Sequence, residues 1–157
     1  MARRAIAIGA LAGTLGLLGC SANDDATAPT LAEAAERWVA IVNDYGAKNG
    51  APRTLGADDI EERRRDFESR IEEGEELCDL YTTGSYWSGL AITASGPDGG
   101  AAADAGPELL LADGAAACPH RLDDVAEVAA PAFNISPDEA QAILTDLDAV
   151  ADQAVDR

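Results

Sequence analysis

Apolar and polar positions follow a helical period from Leu31 onward, which predicts an amphipathic first helix. Thr30 and Glu33 form a capping box at its start, where each side chain accepts a hydrogen bond from the backbone amide of the other residue. Gly46 is expected to end the helix. The apolar stripe, spaced by four and three residues, consists of Leu31, Ala35, Trp38, Val42 and Tyr45. Its place in this stripe favours Trp38 as a core residue over a ligand platform.

A second apolar stripe with the same spacing predicts one long helix, from an N-cap at Asp58 to about Tyr81. Pairs of opposite charge four residues apart, such as Glu61 and Arg65, support its outer face. Four acidic residues lie near its expected C-terminus, where the helix dipole disfavours them: Glu72, Glu73, Glu75 and Glu76. This acidic segment is compatible with a solubilising face and with a contact site for a cation or a basic partner.

The middle of the chain has a less regular pattern. Residues 84–89 suggest a turn that carries two aromatic residues, Tyr86 and Trp87, beside glycines. Two interpretations of this pair are open: an exposed aromatic contact surface, or half-burial against the first helices. Residues 95–106 are rich in Gly and Ala and predict a mobile loop.

The last third of the chain predicts further helices. The expected segments are 107–118, 122–131 and one that starts after Ser136. Ser136 is placed to cap the last of them, with Pro137 at the first helical position and Glu139 at the third. No stretch shows the alternation that is typical of strands. The sequence therefore predicts an all-α fold, a small bundle of four or five helices.

The start of the chain has the pattern of an export signal. Arg3 and Arg4 precede an uncharged run over residues 5–18, which has the length of a signal-peptide core and is short for a membrane span. The run leads into Leu17-Leu18-Gly19-Cys20, which resembles the lipobox of bacterial lipoproteins. The resemblance implies cleavage of residues 1–19 and a diacylglyceryl thioether on Cys20. Residues 20–30 are then a flexible tether, and residues 31–157 the folded domain.

Three alternatives to this interpretation of the leader are open. One is an ordinary cleaved signal peptide with an incidental cysteine, and another is an uncleaved anchor. The pair Arg3-Arg4 is also compatible with export through the twin-arginine route.

If Cys20 carries lipid, two cysteines are left in the mature domain. An even pair in an oxidising compartment predicts a disulfide between Cys78 and Cys118. The alternative is two buried free thiols. The expected fold is thus a helical bundle stapled by one disulfide.

Charge and motif content exclude several classes of function. With 29 acidic and 11 basic residues, the chain has a net charge of −18, so it repels nucleic acid and anionic headgroups. It has one histidine, His120, and lacks the phosphate-loop, HExxH, CxxC and Gly-x-Ser-x-Gly motifs. No catalytic residue, metal site or cofactor is predicted.

A second resemblance concerns the mature part of the chain. The order Gly74-x-x-x-Cys78, then Gly84, then Cys118-Pro119 is similar to small cysteine-paired helical domains of unknown function in secreted proteins of mycobacteria and their actinobacterial relatives. It implies an envelope location and a helical fold, without an activity.

The expected function is a lipid-anchored cell-envelope protein on the extracytoplasmic side of the membrane. Its helical domain is expected to be a non-catalytic binding module whose partner is an envelope protein. Tyr86, Trp87 and the acidic segment are its candidate contact residues. Two alternatives are open: a phage- or prophage-encoded lipoprotein that acts in superinfection exclusion, and an enzyme of unrecognised type that uses carboxylates.

Overall fold

The computed structural model describes residues 27–50, 54–71, 75–95 and 106–155. These residues form seven helices and no strand, which confirms the predicted all-α bundle. The helices are α1 (Leu31–Lys48), α2 (Ala57–Arg70), α3 (Leu77–Tyr81), α4 (Gly84–Ser95), α5 (Pro107–Ala117), α6 (Leu122–Phe133) and α7 (Pro137–Val155). None of the helices in the described part of the chain combines the length and the apolar character needed to cross a membrane.

The helix count exceeds the predicted four or five because two segments were assigned incorrectly. The long helix expected from Asp58 to Tyr81 ends at Arg70, where Ile71 takes an extended backbone conformation, and helical structure is found again from Leu77. The expected turn at residues 84–89 is the first half of α4. Short segments of this kind are decided by tertiary packing, which overrides a local pattern.

Several helix ends agree with the sequence. The capping box of α1 is present: the Glu33 amide donates to Thr30 Oγ1 over 3.2 Å, and the Thr30 amide donates to Glu33 Oε2 over 2.7 Å. At the start of α7, the Glu139 amide donates to Ser136 Oγ over 3.1 Å. These caps satisfy amides that have no partner inside the helix.

Other helix ends differ from the expected ones. Gly46 is buried inside α1, which runs on to Lys48, and Gly50 takes the left-handed conformation with φ 70° just beyond the helix. The N-cap of α2 is Gly56 rather than Asp58, and its amide donates to the Asp59 carboxylate over 2.7 Å. A sequence pattern places a helix more accurately than it places the helix ends.

The core is built around α5, which contacts α1, α3, α6 and α7. Its buried residues are mostly small, including Ala112, Ala115, Ala116 and Ala117. Large side chains from the surrounding helices pack toward it, among them Phe67, Tyr81 and Trp87, each fully buried. The bundle can therefore close tightly around a helix with little side-chain volume of its own.

The predicted disulfide is present. Cys78 in α3 and Cys118 at the end of α5 are bonded, with their Cα atoms 5.1 Å apart. Both are buried, at 2% and 0% exposure. The bond ties the short helix α3, which has only five residues, to the central helix.

Gly114→Ala is expected to destabilise the protein by about 1–3 kcal/mol, the usual cost of overpacking a core. A Cβ at this position would lie 2.8 Å from Val125 Cγ1 and 3.2 Å from Trp87 Cζ2. Gly89→Ala is the matched control, because a Cβ there meets no atom within 4 Å, and alanine favours a helix. Urea unfolding followed by tryptophan fluorescence measures both variants; equal midpoints would contradict this account of the core.

Candidate functional site

The structure separates the two aromatic candidates. Trp87 is completely buried and Tyr86 is half-buried. The prediction that the two residues form an exposed aromatic contact surface is therefore wrong, and Trp87 is a core residue. The Trp87 indole donates from Nε1 to the carbonyl oxygen of Tyr81 over 2.8 Å. Burial of an indole is favourable when its N–H finds such an acceptor.

The acidic candidates are only partly described. Glu75 and Glu76 are exposed. Glu72 and Glu73 lie outside the described residues, as do Cys20 with the whole leader, most of the tether and residues 96–105 of the expected loop.

A partly buried polar cluster that the sequence did not predict lies between α2, α4 and α5. We call Asp113, Arg63, Arg70 and Tyr86 the Asp113 cluster. Asp113 is 8% exposed; its carboxylate accepts from Arg63, from Arg70 over 3.1 Å and from the Tyr86 hydroxyl over 2.8 Å. Arg70 also donates to Tyr86 Oη over 3.0 Å. Every side chain of the cluster is thus bonded to at least one other member.

Aromatic rings enclose this cluster. The Arg63 guanidinium lies 4.1 Å from the ring centroid of Trp38 and 4.6 Å from that of Phe67, which are cation–π distances. Burial, with the nearby Asp113 charge, raises the pKa of Tyr86, and the same two causes raise the pKa of Tyr81. Both hydroxyls therefore stay protonated at neutral pH, so Tyr86 is available as the donor to Asp113.

The chemistry of the Asp113 cluster is that of a structural ion-pair network. Its carboxylate is bonded to two permanent cations, and Asp66 accepts from the same two arginines, over 2.6 Å from Arg63 and 2.8 Å from Arg70. The cluster joins α2 and α4 to the central helix.

Sequence reasoning missed this cluster because the charged side chains of α2 were expected to pair with one another on its outer face. Arg64 and Arg65 do pair with Glu61 on that face. Arg63 points inward, on the side of α2 that buries Phe67. The available signal was the spacing, since Arg63 and Arg70 lie four residues before and three residues after Phe67 and share its face.

A second group of ion pairs, made by one buried arginine, connects the first helix to the last. Arg37 is 7% exposed, and its guanidinium contacts Asp148 and, over 2.5 Å, Asp152. Burial raises the pKa of Asp148, while the Arg37 charge opposes that shift. These ion pairs fix how α1 and α7 lie against each other.

An open groove follows the outer side of that helix pair. It consists of two adjoining hollows of about 350 and 280 Å³, both lined by Asp44 and Val150. Lys48 and Ile143 line one end, and Ala40 and Ala154 the other, so α1 and α7 run antiparallel beneath it. We call this feature the α1–α7 groove.

Within the described residues, no group of three or more His, Cys, Asp or Glu side chains is arranged to hold a metal ion. His120, the one histidine, lies half-buried in the turn between α5 and α6.

The described residues define a small all-α domain whose central helix is tied by a disulfide and by buried ion pairs. No protein-family model matches the chain, and neither a curated protein nor a solved structure is significantly similar to it.

Proposed function

We propose that the chain is the precursor of a lipid-anchored cell-envelope protein, with a non-catalytic helical binding domain facing the extracytoplasmic side. The observation that carries this proposal is the sequence Leu17-Leu18-Gly19-Cys20 at the end of a short uncharged run that follows Arg3-Arg4. A thioether-linked diacylglycerol on Cys20 supplies two acyl chains, and each buried CH₂ adds about 0.8 kcal/mol of membrane affinity.

The Cys78–Cys118 disulfide supports an extracytoplasmic location. Disulfides persist in oxidising compartments and are rare in the cytosol. The strong negative charge of the chain fits a domain that is held at the membrane by lipid, since acidic surfaces are repelled by anionic headgroups. The same charge argues against a nucleic-acid partner.

The ion pairs of Asp148 and Asp113 support a binding role for the domain over a catalytic one. A catalytic carboxylic acid is expected to have a raised pKa in a concave site. Burial raises the pKa of Asp148, but that carboxylate is bound to Arg37. The Asp113 carboxylate is bound to Arg63, Arg70 and Tyr86. The buried charges therefore fit a stabilising role, and the partner, an envelope protein, is expected to bind the surface.

Cys20→Ala is expected to move the protein from the detergent phase to the aqueous phase in Triton X-114 partitioning, because the anchoring thiol is lost. Ser21→Ala, which leaves the cysteine intact, is the control and should stay in the detergent phase. Intact-mass analysis of the wild type should show removal of residues 1–19, an added acyl mass and the loss of two hydrogens for the disulfide. A wild type that keeps its first methionine, or has an unmodified Cys20, would overturn the proposal.

A further inference from the structure

We propose that the α1–α7 groove is the docking site for a basic amphipathic helix of a partner protein. The inference rests on the proposed function, because it names the surface with which the binding domain acts and the class of partner that it takes.

The floor of the groove has the spacing of a helix-binding surface. Ile143, Leu147 and Val150 of α7 line it at intervals of four and three residues, and each is only half-buried. The lining of α7 continues to Ala154, a length of about 16 Å at 1.5 Å per residue. Three turns of a partner helix match this length. Its apolar face would complete the burial of the three aliphatic side chains.

The rim of the groove supplies the charge that selects the partner. Asp44, Glu108 and Asp146 project from three different helices. Among the described residues that line the groove, Lys48 is the one cation, and it pairs with Asp44 over 2.7 Å. Lysine or arginine beside the apolar face of a partner helix complements this rim. A second copy of this chain, with a net charge of −18, would bring further negative charge and be repelled.

The absence of a side chain at Gly106 makes space for the Glu108 carboxylate, which lines the groove. A Cβ on Gly106 would lie 2.3 Å from Glu108 Oε2 and 3.7 Å from Tyr45 Oη. The missing side chain lets the Glu108 carboxylate lie at the N-terminus of α5, close to the Tyr45 hydroxyl that also lines the groove. The Glu108 carboxylate and the Tyr45 ring are therefore parts of one surface.

The test uses the full acylated protein in dodecyl maltoside and a fluorescent peptide of about 14 residues, long enough for nearly four helical turns. The peptide consists of leucine and lysine at amphipathic helical spacing. Two comparison peptides have the same composition in scrambled order, or glutamate in place of lysine. The amphipathic basic peptide is expected to bind in a 1:1 complex, more tightly than either comparison peptide, with NMR shift changes at Ile143, Leu147 and Val150.

Matched charge reversals distinguish peptide binding in the groove from a general electrostatic attraction of the basic peptide to an acidic protein. The double variant Asp44→Lys/Asp146→Lys is expected to weaken binding about tenfold, which corresponds to 1.4 kcal/mol. The control, Asp123→Lys/Glu127→Lys, changes the net charge equally on the exposed side of α6 and should weaken it less than about threefold, through long-range charge alone. Asp146→Lys alone is the second variant, since it leaves the Asp44–Lys48 pair intact.

Equal losses in the groove and control variants would overturn the inference, as would absence of binding or a dimer of this chain that buries the groove. These outcomes leave the acyl mass on Cys20 unchanged. An unmodified Cys20 would overturn the anchor while the peptide assay still reports on the groove, so the two failures are distinguishable.

Discussion

Replacing Asp113 by alanine is expected to destabilise the protein by about 3–5 kcal/mol, the usual cost of removing one partner from a buried ion pair. The side chain of Asp113 is 12% exposed, and its carboxylate accepts hydrogen bonds from two arginines and from Tyr86. Without it, the Arg63 guanidinium stays beside the Trp38 and Phe67 rings, with its side chain only 14% exposed and its charge compensated only in part by Asp66. Urea unfolding of the purified protein, followed by the fluorescence of its two tryptophans, Trp38 and Trp87, gives the change in unfolding free energy.

Asp66→Ala is the matched control for this prediction. Asp66 bonds to the same two arginines, but its side chain is 37% exposed. Exposed ion pairs contribute about 0–1 kcal/mol, so the loss should be several times smaller. Similar losses for Asp66→Ala and Asp113→Ala would show that burial does not set the strength of the cluster.

Removing the disulfide with Cys78→Ala/Cys118→Ala is expected to cost roughly 4 kcal/mol. The two cysteines are 40 residues apart, and on the chain-entropy account a loop of this size restricts the unfolded chain by about that amount. The loss should appear as a lower urea midpoint for the double variant.

Reductant provides the control for that measurement. Because both cysteines are buried, dithiothreitol should not reduce the disulfide of the folded wild type. It should reduce the disulfide once the chain unfolds, and so lower the urea midpoint of the wild type. Dithiothreitol should not change the urea midpoint of the double variant, which has no disulfide. An unchanged midpoint for the double variant would show that helix packing alone holds α3 against α5.

The two largest expected effects come from features of different origin. The disulfide was predicted from the number of cysteines and the compartment that the leader implies. The Asp113 cluster was not predicted, since its members are spread over residues 63–113 and become neighbours only when α2, α4 and α5 pack together. The spacing from Phe67 places Arg63 on the inner face of α2, but no local pattern shows that Asp113 of α5 meets it there.

The aromatic pair shows the same limit. Beside glycines, Tyr86 and Trp87 were compatible with a surface turn or with partial burial. In the folded chain Trp87 lies in the core, with its ring centroid 5.9 Å from that of Tyr81 and 6.0 Å from that of Phe133. The contact with Phe133, which lies more than forty positions further along the chain, contributes to this burial and is not contained in the local pattern.

The sequence by itself determined the all-α class, most of the helices, the capping of α1 and α7 and the pairing of Cys78 with Cys118. The helices and their caps depend on periodicity and on residues within one turn, which are local properties of a chain. The disulfide follows from the number of cysteines. Only the tertiary structure decided where α2 ends, which arginines are buried and that a groove follows α1 and α7. These depend on how helices distant in sequence pack, and packing free energy exceeds the fraction of a kcal/mol per residue that local propensity contributes.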